Sequence, residues 1–278
     1  MNTQVKKEIE RWVIKIGSSL ITHQGMGLNY AGVQSWAAQI AQLLGGEPSR
    51  HYQVVIVSSG SVAEGVHKLG WSKRPRSLHK IQAAAATGQA GLVHAYEREF
   101  GKHDLRTAQV LLTHEDINDR ERYFSIRRTL SELLSLGVVP VVNENDTVST
   151  REIELGDNDT LAAVVSNLVD ADVLLILTDQ DGLFEQDPTE NPEARLIDQA
   201  DVKERRLDVA AQPSHNAFGR GGMMTKVEAA RQAARSGTRT IIANGFDQRV
   251  IVRLAAGESL ALICWPTSHR KKLSLIHI

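Results

Sequence analysis

One cysteine, Cys264, is all that this 278-residue chain contains. A lone thiol excludes an intramolecular disulfide and fits a reducing compartment. Charge of one sign is missing too. Lys and Arg number 32 against 33 Asp and Glu, a formal net charge of −1, so nucleic acid binding gets no support from a basic field. No apolar run approaches the ~18 residues of a membrane span. The N-terminal stretch MNTQVKKEIERW lacks the apolar centre of a signal peptide. None of the ten histidines sits at metal-ligand spacing or beside a candidate nucleophile. His51, His79, His94 and His103 read as surface or packing residues, and no Ser-His-Asp or Cys-His arrangement is visible. These absences predict a cytoplasmic protein with no membrane segment, no nucleic acid partner and no metal cage of its own. A hydrophobic content of 42% and a charged content of 23% are ordinary for a soluble globular domain.

What is present is an alternation of short apolar runs with longer helical patterns. Strands are expected at Trp12–Ile16, Val54–Val57, Ala108–Leu112, Val138–Val142, Val173–Leu177 and Arg239–Ala243. Helices are expected at Tyr30–Leu44, Leu78–Phe100, Asp119–Leu136, Leu161–Leu168 and from Lys226 to Arg235. Gly88 and Gly91 are candidates to bend the second helix, and Pro140 weakens the fourth strand because proline cannot donate to a central ladder. Strands that alternate with helices, and that are themselves almost wholly apolar, predict a largely parallel sheet covered on both faces, a three-layer αβα sandwich. The polar, proline-containing segment 181–194 reads as an ordered surface loop. One domain is expected over residues 1–258, followed by a tail over 259–278 that holds a last strand at Leu260–Cys264 and then patternless, disordered chain.

The densest chemistry lies between Asn143 and Asp159, NENDTVSTREIELGDND. One Asn/Asp cluster leaves a buried strand and a second opens a helix, at the edge where open α/β sheets bind ligands. Acceptors gathered there suit an ammonium group or a metal ion carried on phosphate. Lys15 sits within the apolar WVIKI, directly before Gly17-Ser18-Ser19. It is either an edge-strand lysine facing water or a buried cation with an anionic partner. The second case fits phosphate, since a glycine at a strand end lets backbone N–H groups approach it and the lysine adds a point charge. VVIVSSGS repeats the design, with N-capping by Ser59 or Ser61 as the plain alternative to anion binding. GRGGMMTK, from Gly219 to Lys226, opens a helix like a phosphate loop, although it is not of the Walker type, and a flexible linker is the alternative. Thr178-Asp179 follows the strongest strand and could hold a nucleotide or merely turn the chain. Two lysines, several glycine loops and an acidic cluster are the equipment of phosphoryl transfer.

Taken together, VIKIGSSLIT, VVIVSSGSVAEG, AAAATGQ, QVLLT, VPVVNENDTVS with GDND, LLILTDQDGL and GRGGMMTK resemble the amino acid kinase family, in an order that covers residues 12–245. NEND with GDND is similar to the family's glutamate kinase branch. The resemblance implies the amino acid kinase fold, ATP with Mg2+, and phosphorylation of the γ-carboxylate of L-glutamate. It also implies proline as a feedback inhibitor and a homo-oligomeric state, dimer or tetramer. By the same resemblance Lys15 and Lys226 neutralise the transferred group and Asp159 holds them in place. Ser59, Gly60, Asp146 and Asn158 bind the amino acid, with Asn143 and Asp157 in supporting roles. Gly17, Thr178 and Asp179 bind the nucleotide, as do Gly219, Arg220, Gly221, Gly222, Met223, Met224 and Thr225 along with the two lysines.

Arg220 departs from the family's Gly-Thr-Gly-Gly loop, and the chain is too short for the PUA domain that many members carry at the C-terminus. Two other readings stay open. An N-acetylglutamate kinase would phosphorylate a substrate with no charged amine, leaving Asp146, Asp157 and Asp159 without an electrostatic purpose. A non-catalytic amino acid sensor on the same scaffold would need neither Lys15 nor Lys226.

Overall fold

Eight strands form one sheet in the computed structural model, which describes residues 8–23, 27–46, 50–148, 158–185, 191, 193–210, 222–258 and 262–265. The strands are β1 (Glu8–Ile16), β2 (Arg50–Ser58), β3 (Arg106–Leu112), β4 (Val138–Glu144), β5 (Val173–Thr178), β6 (Gln199–Asp201), β7 (Arg239–Asn244) and β8 (Leu262–Trp265). Their order is β3-β4-β2-β1-β5-β7-β8-β6, so β1 lies in the interior between β2 and β5. Neighbours pair in parallel except β7 with β8, which is antiparallel.

Side chains alternate across a strand, and the sequence of β1 sorts itself accordingly. Trp12, Ile14 and Ile16 face one way and pack with helices Tyr30–Leu44, Leu78–Gly101 and Val250–Ala255. Val13 faces the other way with Val55, Val57, Leu174 and Ile176, under helices Asn158–Leu168 and Met223–Ala233. The expected three layers are therefore present, with an apolar core on each face of the sheet. No described helix is long and apolar enough to cross a membrane.

Several expectations are corrected by packing. Helix Leu78–Gly101 runs unbroken through Gly88 and Gly91. The glycine serves a close crossing instead of a bend, since a Cβ on Gly88 would lie 1.9 Å from the Ser61 carbonyl oxygen and one on Gly65 would lie 1.7 Å from that of Ala84. Helix Ser61–Lys68 is thereby pressed against helix Leu78–Gly101. Pro140 lies in an interior strand, but the ladder from β4 to β2 starts only at Val141, beyond the missing donor. The helix expected from Lys226 begins one turn earlier, at Met223. The short strand β6 and the antiparallel sense of β8 carry no signal in the sequence pattern. Of the tail, residues 259–261 and 266–278 lie outside the described residues, as does part of the 181–194 loop.

Candidate active site

The period of β1 that buries Val13 puts Lys15 on the same face, in register with Val57 of β2 and Ile176 of β5. That face is covered by the two helices that carry Asp159 and Lys226, so three charged side chains meet under one roof. Lys15 is 5% exposed, Asp159 0% and Lys226 5%, which removes the edge-strand alternative. The Lys15 ammonium pairs with Asp159 Oδ1, and Lys226 Nζ lies 3.1 Å from Oδ2. The Thr225 hydroxyl is also 3.1 Å from Oδ2. Burial alone would raise the Asp159 carboxyl. The adjacent Lys15 and Lys226 ammonium groups outweigh it and hold the carboxyl below the usual carboxylate range. Asp159 also stands in the first turn of its helix, where the backbone dipole favours an anion.

A second constellation lies at the ends of β2 and β4. Asn158 Nδ2 donates to Ser59 Oγ at 2.7 Å and to Asn143 Oδ1 at 3.2 Å. Asn143 Nδ2 donates to Gln89 Oε1 at 3.0 Å and to Ser61 Oγ at 3.3 Å, and Ser61 Oγ donates to Asp146 Oδ2 at 3.1 Å. Residues from two strand ends and three helices thus form one connected network. Burial pushes the Asp146 carboxyl up, with Ser61 and the charge of Arg74 opposing it in part. Burial, reinforced by the Asp146 charge, pushes Glu144 up to about 7.

Ser59 and Ser61 do not cap helix Ser61–Lys68, because both hydroxyls serve the network. The cap is Gly60, at φ 114° and with no side-chain hydrogen bond. Only glycine takes that left-handed conformation readily, and it leaves the first-turn N–H groups of an eight-residue helix open to an anion.

Across β1, at the end of β5, the buried Thr178 donates its hydroxyl to Asp179 Oδ1 at 3.2 Å, while Asp179 itself is exposed. Gly17 lets β1 turn against β5, its N–H donating to the Leu177 carbonyl at 3.3 Å. Gly222 caps helix Met223–Ala233 without a side-chain bond, and Met223 and Met224 pack partly into the core. Asp157, Gly219, Arg220 and Gly221 lie outside the described residues. The expected residues that are described therefore fall into three groups along the strand order β4-β2-β1-β5, with the Lys15–Asp159–Lys226 cluster in the middle. Sequence reasoning gave no role to Gln89, and took Ser61 only as a cap. Its one available signal was the position of Gln89 at the end of the AAAATGQ motif.

Comparison with known proteins identifies the family and the fold. The profile of the amino acid kinase family matches residues 10–244. A glutamate 5-kinase of Nitrosococcus oceani is 53% identical over 260 residues, covering 94% of this chain and 68% of that protein. One from Burkholderia lata is 54% identical over 251 residues, covering 90% of this chain and 66% of that protein. The chain thus spans about two thirds of the length of these relatives. Among solved structures, the UMP kinase of Ureaplasma parvum superposes with a TM-score of 0.60 at 15% identity, covering 93% of this chain and 99% of the other. An isopentenyl phosphate kinase superposes with a TM-score of 0.61 at 19% identity, covering 91% and 99%. At such identities these two speak for the fold alone.

Proposed function

Because the chain belongs to the amino acid kinase family, on its glutamate 5-kinase branch, we propose that it transfers the γ-phosphoryl group of ATP to the γ-carboxylate of L-glutamate. The product is L-glutamyl 5-phosphate, the first step of proline biosynthesis. The observation that carries this reading is the pair of buried lysines on one buried carboxylate, set between an acceptor-rich pocket and the nucleotide-side strand ends.

The nucleophile needs no general base, since a γ-carboxylate with a pKa near ~4.3 is already ionised at neutral pH. The barrier lies in bringing one anion up to another. Lys15 and Lys226 offset that repulsion and stabilise the charge on the transferred group, while Asp159 fixes where their ammonium groups stand. Mg2+ would enter with the nucleotide substrate, held by its phosphates and neutralising their charge. On the amino acid side, Asp146 and Asn158 take the α-ammonium, and Ser59 with the open turn at Gly60 takes a carboxylate. Asn143 supports that pocket. Thr178, Asp179 and the glycine loop from Gly219 to Lys226 take the nucleotide.

A coupled ADP-release assay is expected to show turnover with L-glutamate and little with N-acetylglutamate or aspartate. Preference for N-acetylglutamate would move the protein to another branch, and binding without turnover would make it a sensor. Proline has the same α-ammonium and α-carboxylate but no γ-carboxylate, so it can fill the pocket without offering a nucleophile. Millimolar proline is therefore expected to inhibit, and excess glutamate to relieve the inhibition. Inhibition undiminished at saturating glutamate would place proline elsewhere.

Asp146→Ala and Asn158→Ala should chiefly raise the KM for glutamate and leave that for ATP nearly unchanged. Each removes a hydrogen bond to a charged group, worth about 1.5–3 kcal/mol. An equal rise in the KM for ATP would put these residues at the nucleotide.

A further inference from the structure

Resting on the glutamate-binding reading above, we propose that Gln89 is a positioning residue that sets the donor and acceptor directions of the amino acid pocket through Asn143 and Asn158. It touches neither reacting group. Its effect follows from counting hydrogens.

A carboxamide has two N–H donors on nitrogen and an oxygen that only accepts. Gln89 Oε1 accepts one Asn143 hydrogen at 3.0 Å and Ser61 Oγ accepts the other at 3.3 Å. That turns Asn143 Oδ1 toward Asn158, which spends one hydrogen there at 3.2 Å and its second on Ser59 at 2.7 Å. Both N–H groups of Asn158 are then committed, so its remaining polar atom is the acceptor Oδ1, as an ammonium requires. Ser59 Oγ, having accepted from Asn158, keeps its own proton to donate to a carboxylate. Ser61 spends its proton on Asp146 at 3.1 Å, which leaves Asp146 an acceptor. One oxygen at the start of the relay thus decides which groups at its end attract a cation and which attract an anion.

The fold holds that oxygen in place. Gln89 follows Gly88, whose missing Cβ lets helix Leu78–Gly101 come within contact distance of the Ser61 carbonyl. Asn143 is 2% exposed and Ser61 3%, so water does not readily substitute for the glutamine. Without the Gln89 acceptor, Asn143 can turn over and present its NH2 to Asn158. Asn158 must then answer with Oδ1, and the ammonium loses that acceptor.

Gln89→Met keeps the length and removes the acceptor, whereas Gln89→Glu keeps an acceptor at the same atom. Q89M is expected to raise the KM for glutamate about tenfold, or about 1.4 kcal/mol, with kcat, the KM for ATP and the melting temperature near those of the wild type. Q89E is expected to restore most of the lost affinity. In an Asn158→Ala background Q89M should add nothing further, because the relay already ends short of the ligand. The proposal is overturned if Q89M has the wild-type KM, if the KM for ATP rises equally, if Q89E behaves as Q89M, or if the two substitutions are additive. Gln89→Ala serves the same comparison should the methionine variant not fold. Turnover of glutamate by the unmodified protein tests the assigned reaction separately, so a failure of either idea is distinguishable from a failure of the other.

Discussion

Lys15→Ala and Lys226→Ala are each expected to lower kcat by about 10²- to 10³-fold, on the order of 3–4 kcal/mol, the usual effect of removing one charge-stabilising group from a transition state. The fold should survive both changes. Removing Lys15 leaves Lys226 beside Asp159 at 3.1 Å, and removing Lys226 leaves the Lys15–Asp159 pair. In each case the buried carboxylate keeps a cation. The loss should appear in kcat and kcat/KM together, because the interaction is strongest when the phosphoryl group is in transit. Circular dichroism and melting curves beside steady-state kinetics would separate the cases. A correctly folded variant with near wild-type turnover would end the catalytic assignment of that lysine.

Asp159→Ala, by contrast, should act on the fold as well as the rate. It strips the shared carboxylate from two lysines that are each 5% exposed, and breaking a buried ion pair from one side costs about 3–5 kcal/mol. That is a large part of the 5–15 kcal/mol typical of a whole domain. The folded Asp159 carboxyl is held below its unfolded value. Its contribution is therefore present above the unfolded pKa of about 3.9 and is lost as the pH falls through the lower folded value. Urea denaturation at neutral pH is expected to show Asp159→Ala as markedly less stable than either lysine variant. Equal stability of all three would mean that Asp159 does not organise the lysines. A triple variant lacking all three charges should recover much of the stability lost by Asp159→Ala alone, since no buried ammonium is then left without its carboxylate.

Much of the fold was legible because its signals are local. Apolar runs of strand length, glycines at strand ends and a helical period between them marked six of the eight described strands and the largely parallel sheet. The last strand expected at Leu260–Cys264 overlaps β8. Lys15 stood out for the same reason, as a charge inside an apolar run. The hydroxyls of Ser59 and Ser61 did not reveal their use, because a serine before a helix looks the same whether it caps the backbone or joins a network. Gln89 was invisible as a functional residue for a related reason. Nothing local distinguishes a half-buried helical glutamine that meets Asn143 from one that meets water.

The sequence alone determined which side chains share a face of each strand, because the alternation of a β-strand is a property of the chain itself. That Lys15 meets Asp159 and Lys226 was decided by the tertiary structure, which chose the helices that cover that face of β1. The structure likewise decided the direction of every amide in the pocket, since a carboxamide can donate or accept until its neighbours in space commit it.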